Sequence, residues 1–325
     1  MKIIVIGLGS MGKRRIRLIK GISPDSVIVG VDSRDDRRSN AAGVCARTYG
    51  DLDAALNAEK DCACAFVSTS PLSHAAIISK CLKAGLNVFT EINLVSDGYE
   101  ENLKLSKEAG RVLFLSSTFL YRKEVRFIRD EISGYGGRLN YVYHVGQYLP
   151  DWHPWENFKQ FFVGDKRTNG CREIMAIELP WITKAFGDVV SVNAAHGKNT
   201  ALSIDYDDNY QIILEHENGN RGVFLVDVVS PKAVRNLEVF GENFYISWDG
   251  KPTGLEKLGE NGPERISLYD SAEHIDGYQA TIIEDAYAAE IRAFFDAVNG
   301  KQTPEYGFED DARILELIDR IEGTK

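Results

Sequence analysis

The first residues of the chain carry a pattern with specific chemistry. An apolar run, Lys2 to Ile6, leads into glycines spaced G-x-G-x-x-G and then into a basic, helix-like segment. This order predicts a strand, a glycine turn and a helix, the unit that binds dinucleotides. The first glycine permits the turn, the second admits the pyrophosphate, and the third packs the helix on the strand. The alternative is a glycine turn without a ligand. The predicted cofactor-binding turn comprises Gly7, Leu8, Gly9, Ser10, Met11 and Gly12.

A carboxylate follows at the spacing that a dinucleotide site requires. Asp32 ends the second apolar run, Val27 to Val31, about 20 residues after the glycines. It can accept hydrogen bonds from both adenosine ribose hydroxyls and would repel a 2′-phosphate, which favours NAD. Ser33 and Arg34 could instead contact a 2′-phosphate, so NADP is not excluded. Lys13, Arg14, Arg15 and Arg17 on the first helix are expected to form a solvated face.

Further candidate cofactor contacts follow two later strands of the same half. Ligands of doubly wound sheets bind outside the carboxyl ends of the strands. A buried strand, Cys62 to Ser68, is followed by polar residues and a proline, and the strand Asn87 to Glu91 ends at the same rim. His74 is expected to be a hydrogen-bonding residue rather than a catalyst. The candidates are Ser68, Thr69, Ser70, Pro71, His74, Glu91 and Asn93.

Composition limits the class of protein. A chain of 325 residues favours two domains, which we place at 1–121 and 122–325. No apolar run approaches the ~20 residues of a membrane span, and the first strand leaves no room for a signal peptide, so we expect a cytoplasmic protein. The net charge of −10 argues against nucleic acid and anionic membranes as partners. Five cysteines in a chain of this size are expected to be buried free thiols rather than disulfides or metal ligands.

The second half shows the two-residue alternation of strands, with turn signals at 217–220 and 241–243 that indicate antiparallel hairpins. Helices are predicted at 122–132, 171–185, 285–298 and 309–321. The predicted strands are 138–149, 189–196, 210–216, 223–229, 236–240, 244–248 and 266–269. The fold class is therefore α/β, with a doubly wound parallel sheet followed by an α+β domain that has a large open antiparallel sheet.

Groups that could hold a polar ligand are concentrated between residues 147 and 173. The loop from Gln147 to Trp155 combines Trp152, His153 and an amide, which suit a sugar ring, although an ordinary buried aromatic cluster is the alternative. Arginines close by could bind a phosphate or carboxylate. The candidate substrate contacts are Tyr121, Arg122, Gln147, Trp152, His153, Arg167, Asn169 and Arg172.

The chain resembles the glucose-fructose oxidoreductase, inositol dehydrogenase and rhizopine catabolism (Gfo/Idh/MocA) family along essentially its whole length. The glycine turn, 66–71 with His74, 81–89 running into Glu91, and 290–296 carry the resemblance. It implies a Rossmann domain, a nicotinamide cofactor, and dimers or tetramers formed through the face of the second sheet. It also implies that the last helix, 309–322, packs back toward the first domain. These motifs do not specify a substrate.

The chain departs from the family at both proton-handling positions. The family's Glu-Lys-Pro is here Glu91-Ile92-Asn93, and isoleucine cannot transfer a proton. The family's Asp and His, four residues apart on one helix, align with Glu173 and Ile177, or the histidine aligns near Glu178. Glu173 or Glu178 is thus a candidate general base, and His153 is a third candidate. Tyr121 and Glu91 are possible helpers.

Two functions follow from these features. One is an NAD(P)-dependent oxidoreductase acting on a sugar, sugar phosphate or nucleotide sugar by hydride transfer. The other is a dinucleotide-binding sensor or regulator without hydride transfer, which the resemblance also allows. The loop around Trp152 favours a small-molecule ligand in both cases.

Overall fold

The computed structural model describes residues 1–152, 157–269 and 283–324. The chain divides into two compact units. The first comprises Met1–Ser117 and Tyr287–Ala312, and the second comprises Thr118–Ala286 and Arg313–Lys325. The last two helices therefore contribute residues to both units.

The first unit is built on a six-stranded sheet in which every strand pair is parallel. The strand order is β3-β2-β1-β4-β5-β6, the doubly wound order of dinucleotide-binding folds. The predicted parallel sheet is thereby confirmed. Its elements are β1 Lys2–Ile6, α1 Ser10–Ile22, β2 Val27–Val31, α2 Asp35–Ala41, β3 Arg47–Tyr49, α3 Leu52–Ala58, β4 Cys64–Val67, α4 His74–Lys83, β5 Asn87–Thr90, α5 Tyr99–Ala109 and β6 Leu113–Leu115.

Aromatic packing fixes the middle of this sheet. Phe66, Phe89 and Phe114 stand on β4, β5 and β6, and their rings stack with centroids 4.9 and 5.2 Å apart. Phe294 packs edge-on against all three rings. Such aromatic pairs add about 0.5–1.5 kcal/mol each beyond the area that they bury. The strand ends that face the predicted cofactor site are therefore held by a rigid core.

The second unit contains an eight-stranded sheet of order β14-β13-β12-β11-β7-β10-β9-β8. Most of its strand pairs are antiparallel, as predicted, but β7 and β10 pair in parallel. The elements from residue 118 onward are α6 Lys123–Gly134, β7 Asn140–Gly146, α7 Gly170–Phe186, β8 Val189–Gly197, β9 Asn209–His216, β10 Arg221–Asp227, β11 Val234–Gly241, β12 Phe244–Trp248, β13 Leu255–Gly259, β14 Gly262–Arg265, α8 Glu284–Val298 and α9 Phe308–Ile321.

The predicted strand at 266–269 is wrong. Those residues follow β14, and the hairpin of β13 and β14 lies earlier, at 255–265. The charged residues of that hairpin hid its two-residue alternation. The long strand predicted at 138–149 is shorter, because a 3₁₀ turn begins at Leu149.

The buried face of this second sheet supports α7. Tyr141 and Tyr143 lie on the same buried face of β7. There Tyr141 stacks on Phe186 at 4.2 Å between ring centroids, and Tyr143 packs edge-on against Trp181 at 5.4 Å. Asn169 caps the start of α7, since its side-chain oxygen accepts a hydrogen bond from the Arg172 N–H at 2.7 Å. Aromatic packing therefore fixes the C-terminal part of α7, and the Asn169 cap fixes its first turn.

All five cysteines are buried free thiols. In the described parts of the chain, no helix is both long and apolar enough to cross a membrane.

Candidate active site

The glycine turn has the geometry that its spacing predicts. Gly7 has φ +89°, which only glycine adopts without strain, and it lies against the Ser68 backbone. A Cβ at Gly12 would overlap the Gly7 carbonyl oxygen, so glycine is required for the helix to pack on the turn. At Gly9, the nearest atoms that a Cβ would meet belong to the Arg37 side chain. The backbone of Gly9 is therefore open to a ligand wherever that flexible side chain moves aside.

Asp32 is oriented by backbone N–H groups. Its Oδ2 accepts a hydrogen bond from Leu8 at 2.8 Å, and its Oδ1 accepts one from Arg34 at 2.9 Å. The carboxylate is buried at the end of β2, and each oxygen keeps acceptor capacity for a ribose hydroxyl. The predicted role of Asp32 toward adenosine fits this geometry.

Arg37, in the short helix α2, is a residue that the motif search missed. Its Nη1 lies 3.6 Å from Asp32 Oδ2, and its guanidinium lies 3.4 Å from the position of a Gly9 Cβ. The predicted Arg34 is instead paired with Asp36 on the surface, at 2.7 Å, and Ser33 is exposed. Arg37 is therefore the arginine placed at the glycine turn. The basic composition of 34–38 was the signal that could have identified it.

The polar residues after β4 form a tight turn. Thr69 Oγ1 lies 2.7 Å from Ser73 Oγ, which also donates a hydrogen bond to the Ser70 carbonyl oxygen at 2.7 Å. Pro71 begins the 3₁₀ turn that leads into α4. These bonds fix the backbone of the turn at the carboxyl end of β4.

His74 connects the ends of two strands. Its Nε2 lies 3.0 Å from the Thr69 carbonyl oxygen, and its Nδ1 lies 2.7 Å from the Asn93 side chain. Burial lowers the pKa of His74, which favours the neutral ring. The expected structural role of His74 agrees with these bonds, which join the turn after β4 to the segment after β5.

Glu91 is held by a buried arginine. Arg15 Nε and Nη2 each donate to one oxygen of Glu91 at 2.7 Å, and Ser68 Oγ donates to it at 3.2 Å. Arg15 also lies 2.9 Å from a carboxylate oxygen of Glu290, whose pKa is raised by burial. The expectation of a solvated basic face is wrong for Arg14 and Arg15, which are 3% and 0% exposed. Glu91 thus fixes the strand end that carries Ile92 and Asn93.

In the second unit, Glu173 differs from the other candidate bases. It lies in the first turn of α7, and its Oε2 is buried without a hydrogen-bond partner, although the residue as a whole is half-buried. Burial raises the pKa of Glu173 from 4.5 to about 8. The helix N-terminus favours the ionised form, but that effect is outweighed here by desolvation. A carboxyl group in this state can exchange a proton near neutral pH.

Glu178 is engaged in a buried network. Its Oε1 accepts hydrogen bonds from Arg235 at 2.7 and 3.1 Å, and its Oε2 accepts hydrogen bonds from Tyr143 and Trp181 at 2.7 Å each. The side chain has no exposed surface. These contacts give Glu178 a structural role and separate it from Glu173.

Two candidate substrate contacts, Arg172 and Asn169, are bonded to carboxylates near the C-terminal end of the chain. Arg172 pairs with Asp319 at 2.8 Å and with Glu322, and Asn169 donates to Glu322 at 2.9 Å. Arg172 is also buried. An arginine that already has two carboxylate partners is poorly suited to bind a substrate anion.

The remaining candidates are scattered. Trp152 donates its indole N–H to the Gln147 carbonyl oxygen at 3.0 Å, and His153 lies outside the described residues. Arg122 is buried, bonded to Glu124 at 2.8 Å and placed 4.7 Å from the Trp248 ring. Tyr121 lies beside the Arg126 guanidinium, and Arg167 is exposed.

Comparison with known protein families finds a match in the first part of the chain. Residues 1–116 match the profile of the Gfo/Idh/MocA oxidoreductase family, described as an NAD-binding Rossmann fold. The match ends at residue 116 and so covers the parallel sheet of the first unit. No curated protein sequence matches the chain significantly. The matched segment contains the glycine turn and Asp32, and the family's description is NAD-binding.

Solved structures extend the likeness in fold to both units. An oxidoreductase from Agrobacterium radiobacter, solved with NAD+, L-tartaric acid and magnesium, is 16% identical, with TM-score 0.80, over 98% of this chain and 94% of that one. A myo-inositol 2-dehydrogenase from Lactobacillus plantarum is 16% identical, with TM-score 0.79, over 100% and 96%. The WlbA dehydrogenase from Bordetella pertussis, solved with NADH and UDP-GlcNAcA, is 16% identical, with TM-score 0.76, over 99% and 95%.

The residues of the Gfo/Idh/MocA domain fit NAD. The glycine turn would allow close backbone approach of the cofactor at the start of α1, where the N–H groups of the helix terminus would meet its phosphates. Asp32 provides the ribose acceptor. When bound, NAD supplies a nicotinamide ring that accepts or donates hydride, and the protein must supply the proton-handling group.

Proposed function

We propose that the protein is an oxidoreductase that uses NAD to transfer hydride at a carbinol or ketone carbon of a sugar or polyol. The family of the first domain supports the oxidoreductase class. Structural neighbours named for myo-inositol, or solved with UDP-GlcNAcA, support a polyhydroxylated substrate. Because Arg172 is already paired with two carboxylates, we favour an uncharged ring at this part of the site.

The observation that carries the proposal is the buried, unpartnered oxygen of Glu173. Hydride transfer to or from a carbinol carbon requires a proton to move at the attached oxygen. Ile92 cannot move it, and the Glu178 carboxylate is occupied by three donor side chains. We therefore assign proton transfer to Glu173.

Glu173→Gln tests this assignment. The variant keeps the shape of the side chain and loses the exchangeable proton, so turnover should fall roughly 10²-fold or more, the size expected for a positioned acid or base. NADH binding, followed by fluorescence, should be unchanged. Glu316→Gln, an exposed carboxylate on α9, is the matched control and should keep full turnover. A loss confined to KM would assign Glu173 to hydrogen bonding.

A sensor without hydride transfer is the competing function. Purified protein incubated with NAD and a panel of sugars and polyols should develop the absorbance of reduced nicotinamide. Binding of a sugar without any change in nicotinamide absorbance, in both directions of the reaction, would favour the sensor.

We also propose that copies of the chain associate through the outer face of the second sheet. Val142, Val223 and Ile213 are neighbours in register on β7, β10 and β9, and they are 39%, 37% and 53% exposed. A contiguous apolar patch of this kind commonly marks a protein interface. Ile213→Glu should shift a dimer or tetramer toward monomer in sedimentation. An unchanged oligomeric state, or a monomer before the substitution, would contradict this surface.

A further inference from the structure

The carboxyl group of Glu173 lies in a turn with few compensating charges. Its Oε2 has no partner, and the adjacent Arg172 is directed to Asp319 and Glu322. Adjacent residues of a helix point in different directions, so Arg172 does not serve as the counter-ion of Glu173.

Several ionisable groups lie on the segments near this turn of α7. The hydroxyl of Tyr206, in the loop before β9, donates to the Val163 carbonyl oxygen at 2.7 Å, and burial is the main cause of the raised pKa of Tyr206. None of the acids among these groups stabilises a carboxylate at Glu173. The titratable and charged groups near the turn include Cys171, Arg172, Tyr206, Asp207, Asp208, Tyr210, Asp227, Asp319 and Glu322.

Two effects oppose each other at Glu173. The start of α7 favours a negative charge by at most about 2 kcal/mol even in a partly buried position. Removing an unpaired carboxylate from water costs more than this, and such a group takes up a proton instead. The rise in the pKa of Glu173 to about 8 has burial as its cause. Desolvation therefore decides the protonation state.

We propose that Glu173 is a neutral carboxylic acid at neutral pH and that the enzyme is poised there for carbonyl reduction. This inference rests on the proposed function. In reduction, Glu173 would give its proton to the carbonyl oxygen while the carbonyl carbon gained a hydride from bound reduced NAD, which would leave an alcohol, NAD+ and a Glu173 carboxylate. Water then returns a proton to the carboxylate. In oxidation, the same carboxylate would take the hydroxyl proton while the hydride passed to bound NAD+.

The two directions consequently have opposite pH dependence. Reduction needs the protonated form, so its kcat should be flat at neutral and lower pH and should fall above about pH 8. Oxidation needs the ionised form, so its kcat should rise about tenfold per pH unit up to that region and then level off. A residue with only a structural role would not give mirrored profiles.

Infrared difference spectroscopy of the intact protein tests the protonation state without relying on activity. The spectrum of the unaltered protein minus that of Glu173→Gln at pH 7 should contain the carbonyl stretch of a protonated carboxyl group, which should disappear at pH 9. The same subtraction with Glu316→Gln should lack this band.

Three outcomes separate the two proposals. A protonated-carboxyl band at pH 7 together with mirrored pH profiles supports the inference. A carboxylate spectrum at pH 7, with turnover still lost in Glu173→Gln, overturns the inference and leaves the proposed function intact. A protonated band with full turnover in Glu173→Gln overturns both the catalytic role of Glu173 and the inference.

Discussion

Replacing Glu173 by glutamine should change the pH dependence of stability in a defined direction. The pKa of Glu173 is raised in the folded protein, from 4.5 to about 8. Between these values the folded state keeps a proton that the unfolded state releases, so the Glu173 contribution to stability falls as pH rises. Below 4.5 and above about 8 both states carry the same charge at this residue, and the contribution is constant. Glutamine does not titrate.

The size of this effect follows from the shift. At 1.36 kcal/mol per pKa unit, a rise from 4.5 to about 8 corresponds to about 5 kcal/mol lost between these pH values. This is an upper limit, because the residue as a whole is half-buried and water reaches part of it. Water that reaches part of the side chain makes the measured loss smaller than this limit.

Urea denaturation at pH 5, 6, 7 and 8 would measure this difference. Glu173→Gln should gain stability relative to the unaltered protein as pH rises, with most of the gain between pH 5 and 8. Glu316→Gln should run parallel to the unaltered protein, since that carboxylate is exposed. Parallel curves for Glu173→Gln would show that Glu173 is ionised in the fold and would refute the argument from desolvation.

Three other substitutions test the first domain. Asp32→Ala should remove a preference for NADH over NADPH in fluorescence titrations, and equal affinities in the unaltered protein would contradict the role of Asp32 toward ribose. Arg15→Met leaves Glu91 and Glu290 without their buried cation, so the free energy of unfolding should fall by about 3–5 kcal/mol; a loss below about 1 kcal/mol in urea would show that the carboxylates find other partners. Ile92→Lys should not raise activity, because a desolvated ammonium costs several kcal/mol, whereas a large gain in sugar oxidation would show that the family's usual lysine chemistry still operates here.

The sequence alone was sufficient wherever the controlling interactions are local. The glycine spacing predicted the turn at Gly7, and Asp32 was identified because a strand end places it there. Most strands and helices were also predicted, since a two-residue or 3.6-residue period is visible within a single segment. The prediction that Ile92 stands where the resemblance expects a lysine likewise needs only the chain itself.

Interactions between residues far apart in the sequence could be identified only from the tertiary structure. The expectation of a solvated basic helix failed for Arg15, because its partner Glu290 lies 275 residues away in sequence. β7 and β10 are far apart in the sequence, so no single segment predicts that they pair in parallel.

The choice between the two glutamates of α7 shows the same limit. Glu173 and Glu178 are the same residue type on one helix, so the segment itself does not predict which of them lacks a hydrogen-bond partner. Arg235, from β11, pairs with Glu178, whereas one oxygen of Glu173 stays unpartnered. A pKa depends on burial and on neighbouring charges, which long-range folding sets, so the protonation state of Glu173 could be decided only in three dimensions.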